Sequence, residues 1–192
     1  AMNHAFFAMM SRMKYIERWG LMRNTKQENI QEHSLQTAML AHALAVIRNK
    51  LFGGDIDAER TAAVAMFHEA SEIITGDLAT PIKYYNPEIK KAYKELENIA
   101  CRRLIDMLPP ELQAVYSEYM LCPDEEINKI VKWADKLCAY FKCVEELNLG
   151  NTEFASAEKS ILREIEGIDA PEVKYFMEHF AASFKLNLDQ MG

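Results

Sequence analysis

Two histidines and three carboxylates in this sequence stand among mostly apolar residues. His68, Glu69 and Glu72 lie within little more than one helical turn, whereas His33 and Asp135 are far from them along the chain. Imidazole and carboxylate groups are costly to bury without partners, so these positions call for a chemical explanation. Two imidazoles with two carboxylates form a ligand set that suits Mn, Fe, Co, Ni or Zn rather than a metal that prefers thiolates.

Each of these residues also has a structural interpretation that needs no chemistry. His68 and its two glutamates could form a helix edge with one satisfied core histidine, and His33 could be a polar residue near a helix start. Asp135 could form an ion pair with Lys132 or Lys136. The metal hypothesis depends on three separate helical segments each offering such a group. Helix bundles build metal sites from inward-facing side chains of this kind.

The segments that must position these groups are predicted to be helical. Apolar residues recur at helical spacing, strand-like alternation is absent, and only 7 glycines and 6 prolines occur in 192 residues. Cap and breaker residues predict helices over Phe6–Ile16, Asn29–Lys50, Asp57–Ile73, Asn86–Met107, Pro110–Met120, Asp124–Leu147, Glu153–Ile165 and Pro171–Leu186. No linker or internal repeat divides them, so residues 1–192 are predicted to form one all-α domain.

Two of the predicted helices have clear apolar stripes at helical spacing. On helix Asn29–Lys50 the stripe consists of Leu35, Met39, Ala43 and Val46. On helix Asp124–Leu147 it consists of Ile127, Ile130, Val131, Ala134, Leu137 and Phe141.

Composition limits the classes of function. The formal net charge of −7 disfavours binding to nucleic-acid backbones, although a local basic pocket could still hold a small anion. The four cysteines lie in or beside apolar helical segments and are predicted to be reduced, buried thiols. Because no stretch is long and apolar enough to span a bilayer and no signal-peptide pattern is present, we expect a cytoplasmic location without membrane association.

The order of the chemistry-bearing residues resembles the metal-ligand pattern of the HD-domain superfamily, with His33, His68-Glu69 and Asp135 in the ligand places. Further segments look like the bacterial HD-domain 5'-deoxynucleotidases, the YfbR-like family, over nearly the whole chain. These segments are Phe6-Phe7, Ser11-Arg12, Arg18-Trp19, Leu21-Met22-Arg23-Asn24, Glu28-Asn29, Glu32-His33-Ser34-Leu35-Gln36, Phe52-Gly53-Gly54, Glu72, Thr75-Gly76-Asp77-Leu78, Thr80-Pro81-Ile82-Lys83-Tyr84 and Cys138-Ala139-Tyr140.

The resemblance implies a fold, an activity and a cofactor. The fold would be a single-domain, all-α, HD-type helical bundle with a metal site in its core, and the protein would be a homodimer. The activity would be hydrolysis of nucleoside 5'-monophosphates, preferably 2'-deoxy, to nucleoside and phosphate. The cofactor would be one divalent ion, Co, Mn, Zn, Ni or Fe, held by His33, His68, Glu69 and Asp135.

The same resemblance implies roles for four further residues. Glu72 would be the catalytic acid and base, Arg18 would grip the phosphate, and Trp19 would pack on the sugar. Asp77 would accept a hydrogen bond from the sugar 3'-hydroxyl. Taken without the resemblance, Arg18 and Trp19 could simply end the first helix, and Asp77 could belong to the turn that begins at Gly76.

One ligand position departs from the family pattern. Glu69 stands where the family has aspartate, and the extra methylene moves its oxygens outward by about a bond length, whereas ligand positions are set to within about 0.2 Å. We expect retained ligation, because charge and ligand type are preserved. The alternative is a degenerate HD domain that binds nucleotide or metal without turnover. A further hypothesis takes His68-Glu69 as a variant of the metalloprotease H-E-x-x-H helix, although Glu72 occupies the place of the second histidine.

Overall fold

The structure, a computed structural model, describes residues 4–83 and 85–192 and omits the side chains of residues 80 and 81. The α-helices are α1 Phe6–Met10, α2 Ile30–Leu51, α3 Ala58–Met66, α4 Glu72–Thr75, α5 Thr80–Lys83, α6 Pro87–Ile105, α7 Pro110–Met120, α8 Glu125–Asn148, α9 Ala155–Glu166 and α10 Pro171–His179. Short 3₁₀ turns occupy Ser11–Tyr15, Thr152–Phe154, Ala181–Lys185 and Leu188–Gln190. Over the described ranges the extended backbone pairs only in one isolated antiparallel bridge, between Glu17 and Asn29. The all-α prediction is therefore confirmed, whereas the one-domain boundary stays a prediction.

The starts of the long helices follow from side-chain caps. The Asn29 side chain accepts hydrogen bonds from the backbone N–H groups of Gln31 and Glu32 at the start of α2. Asn86 caps α6 and Asp124 caps α8 in the same manner. Such caps satisfy N–H groups that have no partner within the helix, which is why the predicted starts agree with the observed ones.

The core is formed chiefly by α2, α3 and α8, with α9 and α10 packed against it. The stripe predicted on α8 is confirmed, because all six of its residues are buried. The stripe predicted on α2 lies largely on the wrong side, since Leu35, Met39 and Val46 are exposed. The buried side of α2 instead carries Leu44 and several alanines. Because α2 is apolar on more than one side, spacing alone did not single out the buried face.

The predicted helix Asp57–Ile73 is interrupted. Helix α3 ends at Met66, and tight turns over residues 67–71 lead into α4. At the break the Ala65 carbonyl accepts from the backbone N–H of His68 and also lies 2.6 Å from the ring Nδ1 of His68. These contacts take the place of the helical hydrogen bond from Glu69, so the candidate ligands lie in a turn rather than on a continuous helix face.

Two smaller differences concern the chain ends. The predicted first helix is α-helical only to Met10 and continues as a 3₁₀ turn to Tyr15. The predicted last helix ends at His179, after which Phe184 packs its ring on Phe141 with 3.6 Å between centroids.

All four cysteines are free, and three of them are buried. Among the described residues, none of the helices combines the length and apolar character needed to cross a membrane.

Candidate metal centre

His33 lies in the first turn of α2 and faces α8. Its side chain is fully buried, and its Nε2 is 2.8 Å from Oδ1 of Asp135. Thr37, one turn further along α2, places its hydroxyl 3.4 Å from the same nitrogen. Neither ion pair considered above, with Lys132 or Lys136, is found for Asp135 in the described structure: Asp135 faces the two histidines, and Lys136 pairs with Glu164.

His68 and Glu69 lie in the turn between α3 and α4. The Ala65 carbonyl can only accept a hydrogen bond, so the 2.6 Å contact requires the proton of His68 to be on Nδ1. Nε2 is therefore the ring nitrogen that a metal ion would use, and it lies 3.3 Å from Oε1 of Glu69 and 3.8 Å from Oδ1 of Asp135. Metal-binding histidines commonly donate their other ring N–H to a backbone carbonyl in this manner.

Four candidate ligands converge, although they come from three places in the chain. One ligand atom from each of His33, His68, Glu69 and Asp135 lies within 4.8 Å of the others. Nε2 of His68 and Oε2 of Glu69 are buried and make no hydrogen bond. Buried polar atoms are normally satisfied, so these two atoms favour a site shaped for a cation. Two nitrogens and two carboxylates fit a divalent transition metal.

The charges of the centre are strongly coupled. Burial disfavours a charged His68, but Asp135 and Glu69 outweigh this effect and raise its pKa to about 10. Burial would raise the pKa of Glu69, yet His68 and Arg18 bring it well below its usual range. Without a metal ion, the site therefore draws positive charge from the protein itself, as expected of carboxylates grouped for a cation.

Arg18 lies at the edge of this centre. Its Nε is 3.1 Å from Oε2 of Glu28, its Nη1 is 3.4 Å from Oε2 of Glu69, and its Nη2 is 4.0 Å from Oδ1 of Asp135. These carboxylates outweigh the effect of burial and raise the pKa of Arg18. A permanently charged, planar guanidinium beside the candidate ligands is a fitting partner for a phosphate group.

Trp19 follows Arg18 with an unusual backbone conformation. Its φ is +59°, in the left-handed region that non-glycine residues seldom adopt. The indole Nε1 donates to Oε2 of Glu28 at 3.1 Å, and the ring packs edge-on against Phe154. Asn24 donates to the Trp19 carbonyl. Strain of this kind persists only where the surroundings enforce it, and it occurs preferentially at binding sites.

Glu72 and Asp77 complete the set of predicted site residues. Glu72 is buried at the start of α4, and its Oε2 makes no hydrogen bond. Burial, followed by the neighbouring carboxylate of Glu69, raises the pKa of Glu72 to about 10. Asp77 lies at the surface after Gly76, which ends α4 with φ +73°. Partial burial raises the pKa of the Asp77 carboxyl, whereas the charge of Arg18 acts to lower it and that of Glu69 to raise it.

The structure brings together the four predicted ligands, with Arg18 and Glu72 beside them. It also shows two features that the sequence did not reveal. One is Glu28, whose carboxylate contacts both Arg18 and Trp19. The only signal for Glu28 was its place in a segment that resembles the family. The other is a buried ion pair between Lys142 and Glu146, for which the sequence gave no signal beyond helical spacing.

Comparison with known proteins identifies relatives along nearly the whole chain. The model of the family described as 5'-deoxynucleotidase YfbR-like matches residues 5–184. The 5'-deoxynucleotidase of Vibrio parahaemolyticus is 52% identical over 189 residues, which covers 97% of each chain.

Solved structures with the same fold are more distant in sequence. An HD-domain phosphohydrolase from Listeria innocua matches with a TM-score of 0.80 at 22% identity, over 94% of this chain and 88% of that one. The HD phosphohydrolase of cyanophage S-2L, bound to dA and one catalytic Zn²⁺, matches with a TM-score of 0.64 at 20% identity. That match covers 93% of this chain and 95% of the phage protein. These likenesses confirm the predicted HD-type fold.

Proposed function

The chain belongs to the YfbR-like family of 5'-deoxynucleotidases, and we propose that it hydrolyses nucleoside 5'-monophosphates, preferably 2'-deoxy, to nucleoside and phosphate. One observation carries the proposal. A ligand set for a cation, made by His33, His68, Glu69 and Asp135, lies beside the guanidinium of Arg18. A phosphate ester can therefore meet a metal ion and a fixed positive charge at the same place.

The metal would be held by His33, His68, Glu69 and Asp135. Nε2 of His68 and Oε2 of Glu69, which make no hydrogen bond, support this assignment, as does the Zn²⁺ in the related cyanophage enzyme. When bound, a divalent ion supplies Lewis acidity and lowers the pKa of a coordinated water. Co, Mn, Zn, Ni and Fe all accept this ligand set.

Arg18 would bind and orient the phosphate. Its Nε is occupied by Glu28, so the two terminal nitrogens on the side of the metal centre are the ones available to phosphate oxygens. An arginine offers these donors in a fixed plane, which orients a phosphate better than a lysine does.

Glu72 would act as the acid and base of the reaction. Its carboxyl is buried next to Glu69, and its unpartnered Oε2 can hold or release a proton at the leaving-group oxygen. Trp19 would pack on the sugar, and Asp77 would accept a hydrogen bond from the 3'-hydroxyl. Both roles come from the family resemblance, and the position of Trp19 next to Arg18 in the chain supports the first of them.

An assay of phosphate release tests the proposal. With added Co²⁺ or Mn²⁺ the protein should release phosphate from dAMP faster than from AMP. Glu72→Ala should abolish release and leave nucleotide binding intact, and robust turnover by that variant would remove the role of Glu72. A metal-loaded wild-type protein that binds dAMP without hydrolysing it would favour the degenerate binding domain. The metalloprotease hypothesis finds no support, because His33 joins the cluster that it would leave out.

We further propose a cytoplasmic homodimer that does not bind nucleic acid. The net charge of −7 supports the absence of nucleic-acid binding. The exposed apolar side of α2, with Leu35, Met39 and Val46, supports an interface with a second copy. Light scattering should give the mass of a dimer, and Met39→Lys should shift it toward the monomer. A monomeric wild-type protein at micromolar concentration would end this part of the proposal.

A further inference from the structure

We propose that Glu28 is a positioning residue that holds Arg18 and Trp19 in a fixed mutual arrangement, so that recognition of the phosphate and of the sugar is coupled. This inference rests on the proposed function, because it assumes that Arg18 and Trp19 contact the nucleotide. Glu28 itself would touch neither substrate nor metal.

A single oxygen of Glu28 receives both side chains. Oε2 lies 3.1 Å from Nε of Arg18 and 3.1 Å from Nε1 of Trp19. The backbone ties the same residues together, since the Arg18 N–H donates to the Glu28 carbonyl at 2.8 Å. The Glu28 side chain is only 12% exposed and that of Arg18 13%, so water competes little for these contacts.

The contact with Glu28 decides which edge of the guanidinium remains available. With Nε held, Nη1 and Nη2 are directed toward Glu69 and Asp135, the side from which a metal-bound phosphate would approach. Without Glu28, the long side chain of Arg18 would be free to pair fully with those two carboxylates. It would then compete with the phosphate instead of binding it.

The contact matters equally for Trp19. Nε1 is the only hydrogen-bond donor of the indole, and Glu28 accepts from it. The backbone of Trp19, at φ +59°, is strained and depends on its neighbours to hold the ring in place. Losing the Glu28 contact would leave packing on Phe154 to orient the ring. A ring that turns would no longer present a fixed face to the sugar on which it is proposed to pack.

The coupling predicts that Glu28 affects discrimination between sugars although it lies outside the reacting groups. We would compare wild type, Glu28→Gln and Glu28→Ala by kcat and KM for dAMP and for AMP, and by equilibrium binding of both nucleotides. Glu17→Ala is the matched control, because it removes an exposed carboxylate from the same segment. Trp19→Phe keeps an aromatic ring and removes the Nε1 donor.

Glu28→Ala should lower kcat/KM for dAMP by about tenfold to a hundredfold, the usual effect of losing a group that orients functional residues. Most of this loss should be in KM, and the ratio of dAMP to AMP in kcat/KM and in binding should fall toward one. Glu28→Gln, which keeps an acceptor oxygen, should recover part of that ratio. In the Trp19→Phe background, Glu28→Ala should change the ratio no further, because the contact is already lost.

The outcomes separate the positioning role from the proposed function. If Glu28→Ala lowers the melting temperature but leaves the dAMP to AMP ratio and KM at wild-type values, Glu28 is merely structural and the inference is overturned. If the wild type releases no phosphate, the proposed function fails, and the binding ratio still decides the inference on Glu28. A shift in the ratio as large in Glu17→Ala as in Glu28→Ala would also overturn it.

Discussion

Helix α8 contributes to two groups of charged side chains, which differ in how fully their polar atoms are hydrogen-bonded. Near the middle of the helix, Asp135 joins the candidate metal centre. Further along, Glu146 is fully buried and forms an ion pair with Lys142. Glu146 also accepts from the backbone N–H groups of Thr25 and Lys26 and from the side chain of Asn151.

The difference between the two groups lies in which of their polar atoms make no hydrogen bond. Around Glu146 both carboxylate oxygens are occupied, and Lys142 also donates to the Lys26 carbonyl. In the metal centre, Nε2 of His68 and Oε2 of Glu69 are buried without hydrogen bonds. A satisfied buried network holds a fold together, whereas convergent unsatisfied atoms leave room for a ligand. The candidate metal centre therefore differs from the Lys142–Glu146 pair in its free hydrogen-bonding capacity, which a cation would satisfy.

The largest expected effect on activity comes from removing one of the candidate metal ligands. His68→Ala should lose the metal and lower kcat/KM for dAMP on the order of ten-thousandfold, because several kcal/mol of transition-state stabilisation depend on the ion. Its melting temperature without metal should also fall, since the ring contacts the Ala65 carbonyl through Nδ1 and lies against the carboxylates of Glu69 and Asp135. His42→Ala, on the same helix as His33, is the control. Metal retained at full stoichiometry in His68→Ala would contradict the assignment.

The next largest effect should come from Glu72, and it should distinguish proton transfer from metal binding at the candidate centre. Glu72→Gln keeps the shape of the side chain but cannot exchange a proton, so kcat should fall about a thousandfold. The metal content, measured by elemental analysis, should equal that of the wild type. A variant that loses the ion as well would show that Glu72 belongs to the ligand set.

Mutation of the Lys142–Glu146 pair should instead lower the stability of the fold and leave metal binding unchanged. Glu146→Ala should destabilise the fold by about 3 kcal/mol, because it leaves the buried ammonium of Lys142 without its counter-charge. Chemical unfolding measures this loss, and metal stoichiometry should be unchanged. The double change Lys142→Met with Glu146→Leu is the matched control and should cost much less. If Glu146→Ala removes the metal without lowering stability, the contrast between the two groups is wrong.

The stability that the buried Glu146 contributes should depend on pH. Burial opposes the charge on Glu146, but the bonds from Lys142, Asn151 and two backbone N–H groups outweigh it and lower its pKa to about 2. With an ordinary value of 4.5, its contribution to stability is fully present above that pH and is lost as the pH falls toward 2. Unfolding free energies measured across this window should fall more steeply for the wild type than for Glu146→Gln. Parallel curves would contradict the account.

The smallest expected effect concerns the residue that departs from the family. Glu69→Asp keeps the charge and the ligand type, so kcat/KM should change by less than about tenfold in either direction. A much larger gain would mean that the natural glutamate impairs the site, in favour of a degenerate domain. Isothermal titration with Mn²⁺ on both proteins would show whether any change comes from metal affinity.

The candidate centre was predictable from residue types together with the family resemblance, because His33, His68, Glu69 and Asp135 are polar groups among apolar residues, an arrangement that by itself left structural interpretations open. The caps at Asn29, Asn86 and Asp124 likewise fixed where long helices begin. The break after Met66 was not predictable from glycine or proline, since neither residue occurs there, and the structure instead shows the His68 ring in contact with the Ala65 carbonyl. The same ring lies 3.8 Å from Asp135, a residue far along the chain that helical spacing could not bring to it.

The roles of Glu28 and Glu146 depend even more on tertiary structure. Glu146 resembles any surface glutamate paired with a lysine four residues earlier, and only the fold brings Thr25 and Lys26 to it. Glu28 likewise meets Arg18 and Trp19 only because the antiparallel bridge between Glu17 and Asn29 brings the two segments together. Spacing along one helix predicts neighbours within that helix, but it does not predict partners that arrive from another segment.

The most direct measurement is anomalous diffraction from crystals of the protein grown with Mn²⁺. The account predicts one strong anomalous peak within about 2.0–2.3 Å of Nε2 of His33, Nε2 of His68 and oxygens of Glu69 and Asp135. A peak bound elsewhere, or a centre in which the two imidazoles and the two carboxylates do not share one ion, would contradict it.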